Sequence, residues 1–202
     1  DAIGMAVPAS DAAALATWFA EKSDSGSLVE YLKTFDITTG VMQTHEGLAR
    51  VAREFVLDLH ADGVIYGEIR WAPEQHLSRG LTLDQTVEAV QEGLEAGAEE
   101  VRHAGGSIRV GQLVSAMRHA DRGLEIAELA VRHRNNGVVG FDIAGAEAGF
   151  PAGNLRDAFD YLAHHFFPAT VHAGEADGLD SIRGALFDGR VLRLGHGVRL
   201  AE

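Results

Sequence analysis

The chain has 202 residues, 46% of them apolar and 23% charged, a balance that supports a buried core and excludes a disordered or fibrous protein. Seventeen Lys and Arg against thirty Asp and Glu give a net charge of −13, so no broad attraction draws the chain to nucleic acid or to an anionic membrane surface. Cys is absent, which removes disulfides and thiolate ligands and leaves the ten His and the carboxylates as the good metal ligands.

The chain opens helically. Residues 10–22 and 27–34 read as helices, the first capped by Ser10 or Asp11 and the second by a Ser27/Glu30 capping box. A longer amphipathic helix over 45–61 places Leu48, Val51, Ala52, Phe55, Val56 and Leu59 on one face. Short apolar runs then alternate with helices. Strands are predicted at 63–71, 107–117, 138–143 and 169–173, with a fifth starting at 191–194. The helices between them span 82–104, 124–134, 154–165 and 179–187. No low-complexity segment, fixed-period repeat or domain boundary interrupts the series. Residues 1–202 therefore read as a single domain, helical over 1–62 and built of consecutive βα units over 63–202.

No run approaches the 18 apolar residues of a membrane span, and the first residues lack the basic and apolar regions of a signal peptide. A soluble, cytoplasmic protein is the expectation. Both ends look cut rather than finished, with no initiator Met and no helix stop after Val198.

Strict β-α-β-α alternation predicts an α/β fold with a parallel sheet. The strands show little polar alternation, as for a sheet covered on both faces. An open doubly wound sheet and a (β/α)8 barrel both satisfy the pattern. No Gly-rich phosphate loop stands at any strand–helix junction.

In both architectures the functional groups gather at the carboxyl ends of the strands. Those ends carry Glu68 and Arg70, then Arg118 and His119, then Asp142 and Glu147, then His172 and Glu175, and last His196. A purely structural sheet gives no reason for this repetition. The sharpest segment is Thr170-Val171-His172-Ala173-Gly174-Glu175: an imidazole leaves the strand, two small residues permit a tight turn, and a carboxylate returns to the same pocket. That pairing suits a metal-binding His beside a proton-shuttling acid. Gly195-His196-Gly197 clears space around a second imidazole on the next strand. Arg70 and Asp142 fit a structural ion pair at the mouth. Among the other histidines, His45, His60, His76, His103 and His133 are expected to be mostly solvated, and His164-His165 suits a helix end.

Taken in order, Glu68-Ile69-Arg70-Trp71-Ala72-Pro73, Ala116-Met117-Arg118-His119, Phe141-Asp142-Ile143-Ala144-Gly145-Ala146-Glu147, the His172 segment and Leu194-Gly195-His196-Gly197 closely resemble the adenosine deaminase family of metal-dependent amidohydrolases. The resemblance implies a (β/α)8 TIM barrel and zinc-dependent hydrolytic deamination of adenosine or 2'-deoxyadenosine to inosine and ammonia in purine salvage. It implies His172 as a ligand of one Zn2+ ion, Glu175 as the acid that protonates ring N1, His196 as the group that positions and deprotonates the attacking water, and Gly145 as the backbone donor to ring N3. The partner implied is a small purine nucleoside. Related readings are a deaminase of adenine or another 6-aminopurine, and an inactive nucleoside-binding relative.

The chain departs from the family pattern. It contains no His-x-His pair and no Asp-Asp pair, which supply the family's other zinc ligands. The motifs match the second through sixth strands of eight, so an incomplete barrel of about five strands is expected. One imidazole does not hold zinc. These residues alone are therefore expected to be inactive, as an excerpt of a longer enzyme.

Overall fold

The computed structural model describes residues 6–201. Its first three helices are short: α1 (Ala12–Ser23), α2 (Leu28–Leu32) and α3 (Phe35–Val41). Asp11 caps α1 by accepting from the Ala14 N–H at 2.9 Å. Ser27 accepts from the Glu30 N–H, but the expected box is only half formed, because the Glu30 carboxylate turns to Lys33 at 2.5 Å. α3 has no counterpart among the predicted elements. Its segment Ile37-Thr38-Thr39-Gly40-Val41 is β-branched and Gly-containing, poor material for a helix. None of the residues in α1, α2 or α3 is buried.

Helix α4 (His45–Ala61) has the predicted bounds and lies along α5 (Leu83–His103). Leu48, Ala52 and Val56 meet Ala89, Val90, Leu94 and Val101. The approach is close because Gly93 and Gly97, one turn apart, leave room for it. A Cβ at Gly93 would collide with the Ala49 carbonyl, and one at Gly97 would lie 2.9 Å from the Arg53 carbonyl oxygen.

Five strands follow in parallel: β1 (Tyr66–Trp71), β2 (Arg109–Met117), β3 (Val138–Ala144), β4 (Thr170–Ala173) and β5 (Arg193–His196). Helices α6 (Gly123–Arg132), α7 (Arg156–His164) and α8 (Leu179–Phe187) cover the later crossovers. Pairing runs β1-β2-β3 and β4-β5. The two groups join through a parallel bridge from Phe141 to Ala169 and a 3.0 Å bond from the Phe141 N–H to the Pro168 carbonyl.

The spatial order never reverses along the sheet, whereas a doubly wound sheet needs a reversal. Right-handed crossovers in running order place every helix on one face. The other face is concave: Arg193 on β5 reaches Glu68 on β1 at 3.0 Å, across the strands between them. The fold is an incomplete (β/α)8 barrel.

Side chains alternate more than the sequence suggested. Ile69, Val114, Ala116, Phe141, Ile143, Val171 and Ala173 pack beneath the helices. Glu68, Arg70, Ser115, Asp142 and His172 alternate with them and meet one another on the concave side. The expectation of apolar strands covered on both faces is thus corrected. The solvated reading also fails for two histidines. His76 and His133 are 2% and 7% exposed. His76 Nδ1 meets the Met42 carbonyl at 2.8 Å, and burial pushes its pKa down; His133 Nε2 meets Asp84 at 2.7 Å.

Candidate active site

The β4–β5 register sets His172 opposite Gly195 and Ala173 opposite His196, which brings the two His motifs to one height at the rim. Gly195 makes this possible. A Cβ there would lie 3.1 Å from the Arg70 guanidinium and 3.3 Å from the His172 Cα.

His172 is held from three sides. Its Nδ1 lies 2.9 Å from Asp142 Oδ2 and 3.0 Å from the Ile143 carbonyl oxygen, both acceptors. Its Nε2 lies 3.1 Å from Arg70, a pure donor. These partners assign the neutral tautomer with hydrogen on Nδ1 and a lone pair on Nε2. Asp142 is fully buried and is itself held by the Ser115 hydroxyl at 2.9 Å. The Arg70–Asp142 ion pair anticipated from sequence forms at 3.7 Å, but both partners also address His172. Arg118, 4% exposed, donates to the His172 and Phe150 carbonyls and so ties down the end of β4. Burial pushes the Arg118 pKa down, against the opposing carboxylates of Glu147, Asp142, Asp177 and Glu175.

His196 leaves its strand in the left-handed region, with φ 69°, which few non-glycine residues adopt. Its Nε2 stands 3.4 Å from Glu175 Oε2, and its ring centroid is 5.2 Å from that of His172. The structure therefore gathers His172, Glu175 and His196 into one cluster. Gly145 follows β3 with φ 100°, beside Met117 and His119; a Cβ there would lie 3.2 Å from Met117 Cε.

Two carboxylates received no role from sequence. Glu74 accepts from the Met117 N–H at 2.8 Å, and burial pushes its pKa up. Glu147 is 2% exposed and accepts from four consecutive backbone N–H groups, Gly174 through Asp177, at 2.6 to 3.0 Å, and from the Ser181 hydroxyl. Burial alone would raise its pKa. The Ser181 hydroxyl and the backbone donors outweigh that, and the net displacement is downward. Its place at the end of β3 and in the 141–147 motif marked Glu147 in the sequence, but neither says anything of a partner 27 residues away.

The donor set does not make a zinc site by itself. His172 Nε2 is a suitable lone pair, but the guanidinium of Arg70 faces it. Among the described residues no group of three or more His, Asp or Glu could hold a metal. A tetrahedral zinc site needs more donors than this.

The family model described as adenosine deaminase matches residues 1–202. The chain belongs to the adenosine deaminase family. Relatives within the family include adenosine deaminase 1 of Streptomyces coelicolor, 57% identical over 196 residues, and an adenosine deaminase of Mycobacteroides abscessus, 54% identical over 196 residues. Each alignment covers 97% of this chain but only 50% and 54% of the relative, so the chain spans about half the length of these adenosine deaminases. Among solved structures, an adenine deaminase from Arthrobacter aurescens superposes with a TM-score of 0.82 at 22% identity, over 98% of this chain and 58% of that one. An Arabidopsis N6-mAMP deaminase gives 0.77 at 29% identity, over 90% and 54%. An amidohydrolase from Burkholderia ambifaria with bound Zn gives 0.73 at 22% identity, over 95% and 52%. The barrel is thus the fold of the adenosine deaminase family. No helix among the described residues is long and apolar enough to cross a membrane.

Proposed function

We propose that the protein containing these residues hydrolytically deaminates adenosine and 2'-deoxyadenosine, and that residues 1–202 form one unit of its barrel. The observation that carries this reading is the cluster of His172, Glu175 and His196 at adjacent strand ends, in a chain 57% identical to an adenosine deaminase. An aromatic amine is a poor leaving group, so ring protonation and water activation have to act together. Glu175 delivers a proton to ring N1, which makes C6 electrophilic. His196, turned out of its strand, orients the water and takes its proton as oxygen adds to C6. The Gly145 N–H donates to ring N3. The proton taken by His196 passes to the amine, the C6–N bond breaks with ammonia as the leaving group, and the C6 hydroxyl returns a proton to Glu175, giving inosine. Zinc, when bound, supplies Lewis-acid activation of the water. His172 is proposed as one ligand of a single ion, with the remaining donors in segments beyond these residues.

A second reading, deamination of another 6-aminopurine, draws on the fold shared with the adenine deaminase and on the N6-mAMP deaminase at 29% identity. The test is ultraviolet assay of the full-length protein on adenosine, 2'-deoxyadenosine, adenine and N6-methyl-AMP, with and without chelator. Adenosine and 2'-deoxyadenosine are expected to be converted fastest, with chelator abolishing turnover. Faster turnover of adenine or N6-methyl-AMP would transfer the reading to that substrate, and inertness on all four in zinc-loaded protein would end it.

A further inference from the structure

Glu147 leaves the segment after β3 and crosses to the turn after β4. Its Oε1 accepts from the Gly174 N–H at 2.6 Å and from the Ser181 hydroxyl. Its Oε2 accepts from the N–H groups of Glu175 at 3.0 Å, Ala176 at 2.7 Å and Asp177 at 3.0 Å. Successive amides converging in this way form a concave anion site, and Gly174, with φ 72°, supplies the left-handed residue that curves it. In this chain the anion is a side chain of the chain itself. It is 2% exposed, and its two oxygens are filled by five donors.

The segment so gripped is the one that carries Glu175. With its backbone amide pinned on Glu147 and its carbonyl accepting from the Arg199 Nε at 3.3 Å, Glu175 is left to project toward His196. His172 has holds of its own in Asp142, Ile143 and Arg118. We propose that Glu147 is a positioning residue for Glu175: it fixes the backbone from which the proton-donating carboxyl reaches the purine ring, while the metal-ligating His172 is positioned independently. The inference rests on the deaminase reading above.

The test uses the full-length enzyme and a mutant cycle. Glu147→Gln keeps the shape but places an amide group among backbone donors. A misplacement of the acid on the ångström scale should lower kcat by about 100-fold, with zinc content unchanged. In a Glu175→Gln background the same change should lower kcat little further, because residues that act as a unit are non-additive. Ser181→Ala, which removes one donor of five, should give a smaller loss of the same kind and keeps the proposal testable should Glu147→Gln fail to fold. Hydrogen exchange at amides 174–177 should accelerate in both variants. Equal losses with and without Glu175, or zinc lost in step with activity, would overturn the positioning role. Wild-type enzyme that binds zinc but turns over no 6-aminopurine would instead overturn the deaminase reading, and the exchange measurement would still report on the grip.

Discussion

Asp142 Oδ2 stands 2.9 Å from His172 Nδ1 and thereby commits the opposite nitrogen, Nε2, to the concave side of the sheet. A carboxylate behind an imidazole fixes its tautomer and its ring plane and raises its basicity as a ligand. On the proposed role of His172 as a zinc ligand, Asp142→Asn in the full-length protein should therefore weaken zinc binding by about 10- to 100-fold. His172→Ala should lose zinc altogether. Competition with a chromogenic chelator measures both, and an unchanged affinity in Asp142→Asn would remove the orienting role.

Glu175 makes its nearest ionic contact with His196 at 3.4 Å and is only partly exposed. On the deaminase reading, Glu175→Gln should retain zinc, for which His172 is the proposed ligand, and lose about 100-fold or more in kcat, the scale of a positioned general acid. Steady-state kinetics alongside elemental analysis separate the two effects. Full activity would take Glu175 out of the acid role.

Asp84, at the start of α5, accepts from Arg132 at 2.8 and 3.0 Å and from His133 at 2.7 Å. The Arg132 bond, followed by the His133 bond, holds its pKa down to about 2 against an ordinary 3.8, despite partial burial that opposes the change. Because the folded value is the lower one, the stabilisation is present in full above the unfolded pKa and disappears as pH falls from about 4 through about 2. The side chain is 45% exposed, so solvent screening keeps the contribution below about 1 kcal/mol. Asp84→Asn should lower Tm by a few degrees at pH 7 and by progressively less toward pH 2, as differential scanning calorimetry would record. A shift of constant size across that range would disprove the linkage.

Two glycines should respond oppositely to the same substitution. By helix propensity alone, Ala in place of Gly stabilises by about 1 kcal/mol. At Gly184 in α8 nothing lies closer to the new methyl than Asp188 Oδ2 at 3.9 Å, so Gly184→Ala should raise stability by up to about that amount. At Gly93 the methyl meets the Ala49 backbone, so Gly93→Ala should destabilise by about 1–3 kcal/mol despite its propensity. Denaturant titration of both variants would show it, and a gain at Gly93 would mean that α4 shifts without cost.

The periodicity of the chain foretold most of its elements because α4, α5 and the five strands are bounded by strong local signals. Thr82 caps α5 with a full capping box, and Gly105 follows its end with φ 84°. α3 was missed because its β-branched and Gly-containing residues disfavour a helix. Gln43, which accepts from Ser78 and donates to the Gln75 carbonyl, ties the following turn to the barrel across more than thirty residues. That His172, Glu175 and His196 meet at one rim was legible because their neighbours are small and their motifs contiguous, whereas Gly145 entered only through the family resemblance. The supports behind them were not. Asp142 had the look of half an ion pair, and Glu147 stood among the strand-end carboxylates with no role assigned. Both owe their roles to partners at the end of another strand, a relation that only the register of the sheet creates.

The contact between Glu68 and Arg193 closes a loop of 193 − 68 = 125 residues with a single pair of side chains. Closing so long a loop costs entropy before any contact rewards it. Four βα crossovers have to be in place before those two charges can meet. On refolding, the pair therefore belongs to the late events, and it falls among the interactions that slow unfolding more than they speed folding. The curvature that gathers the candidate site thus includes a contact that forms only once the chain between β1 and β5 has wound through all of its crossovers.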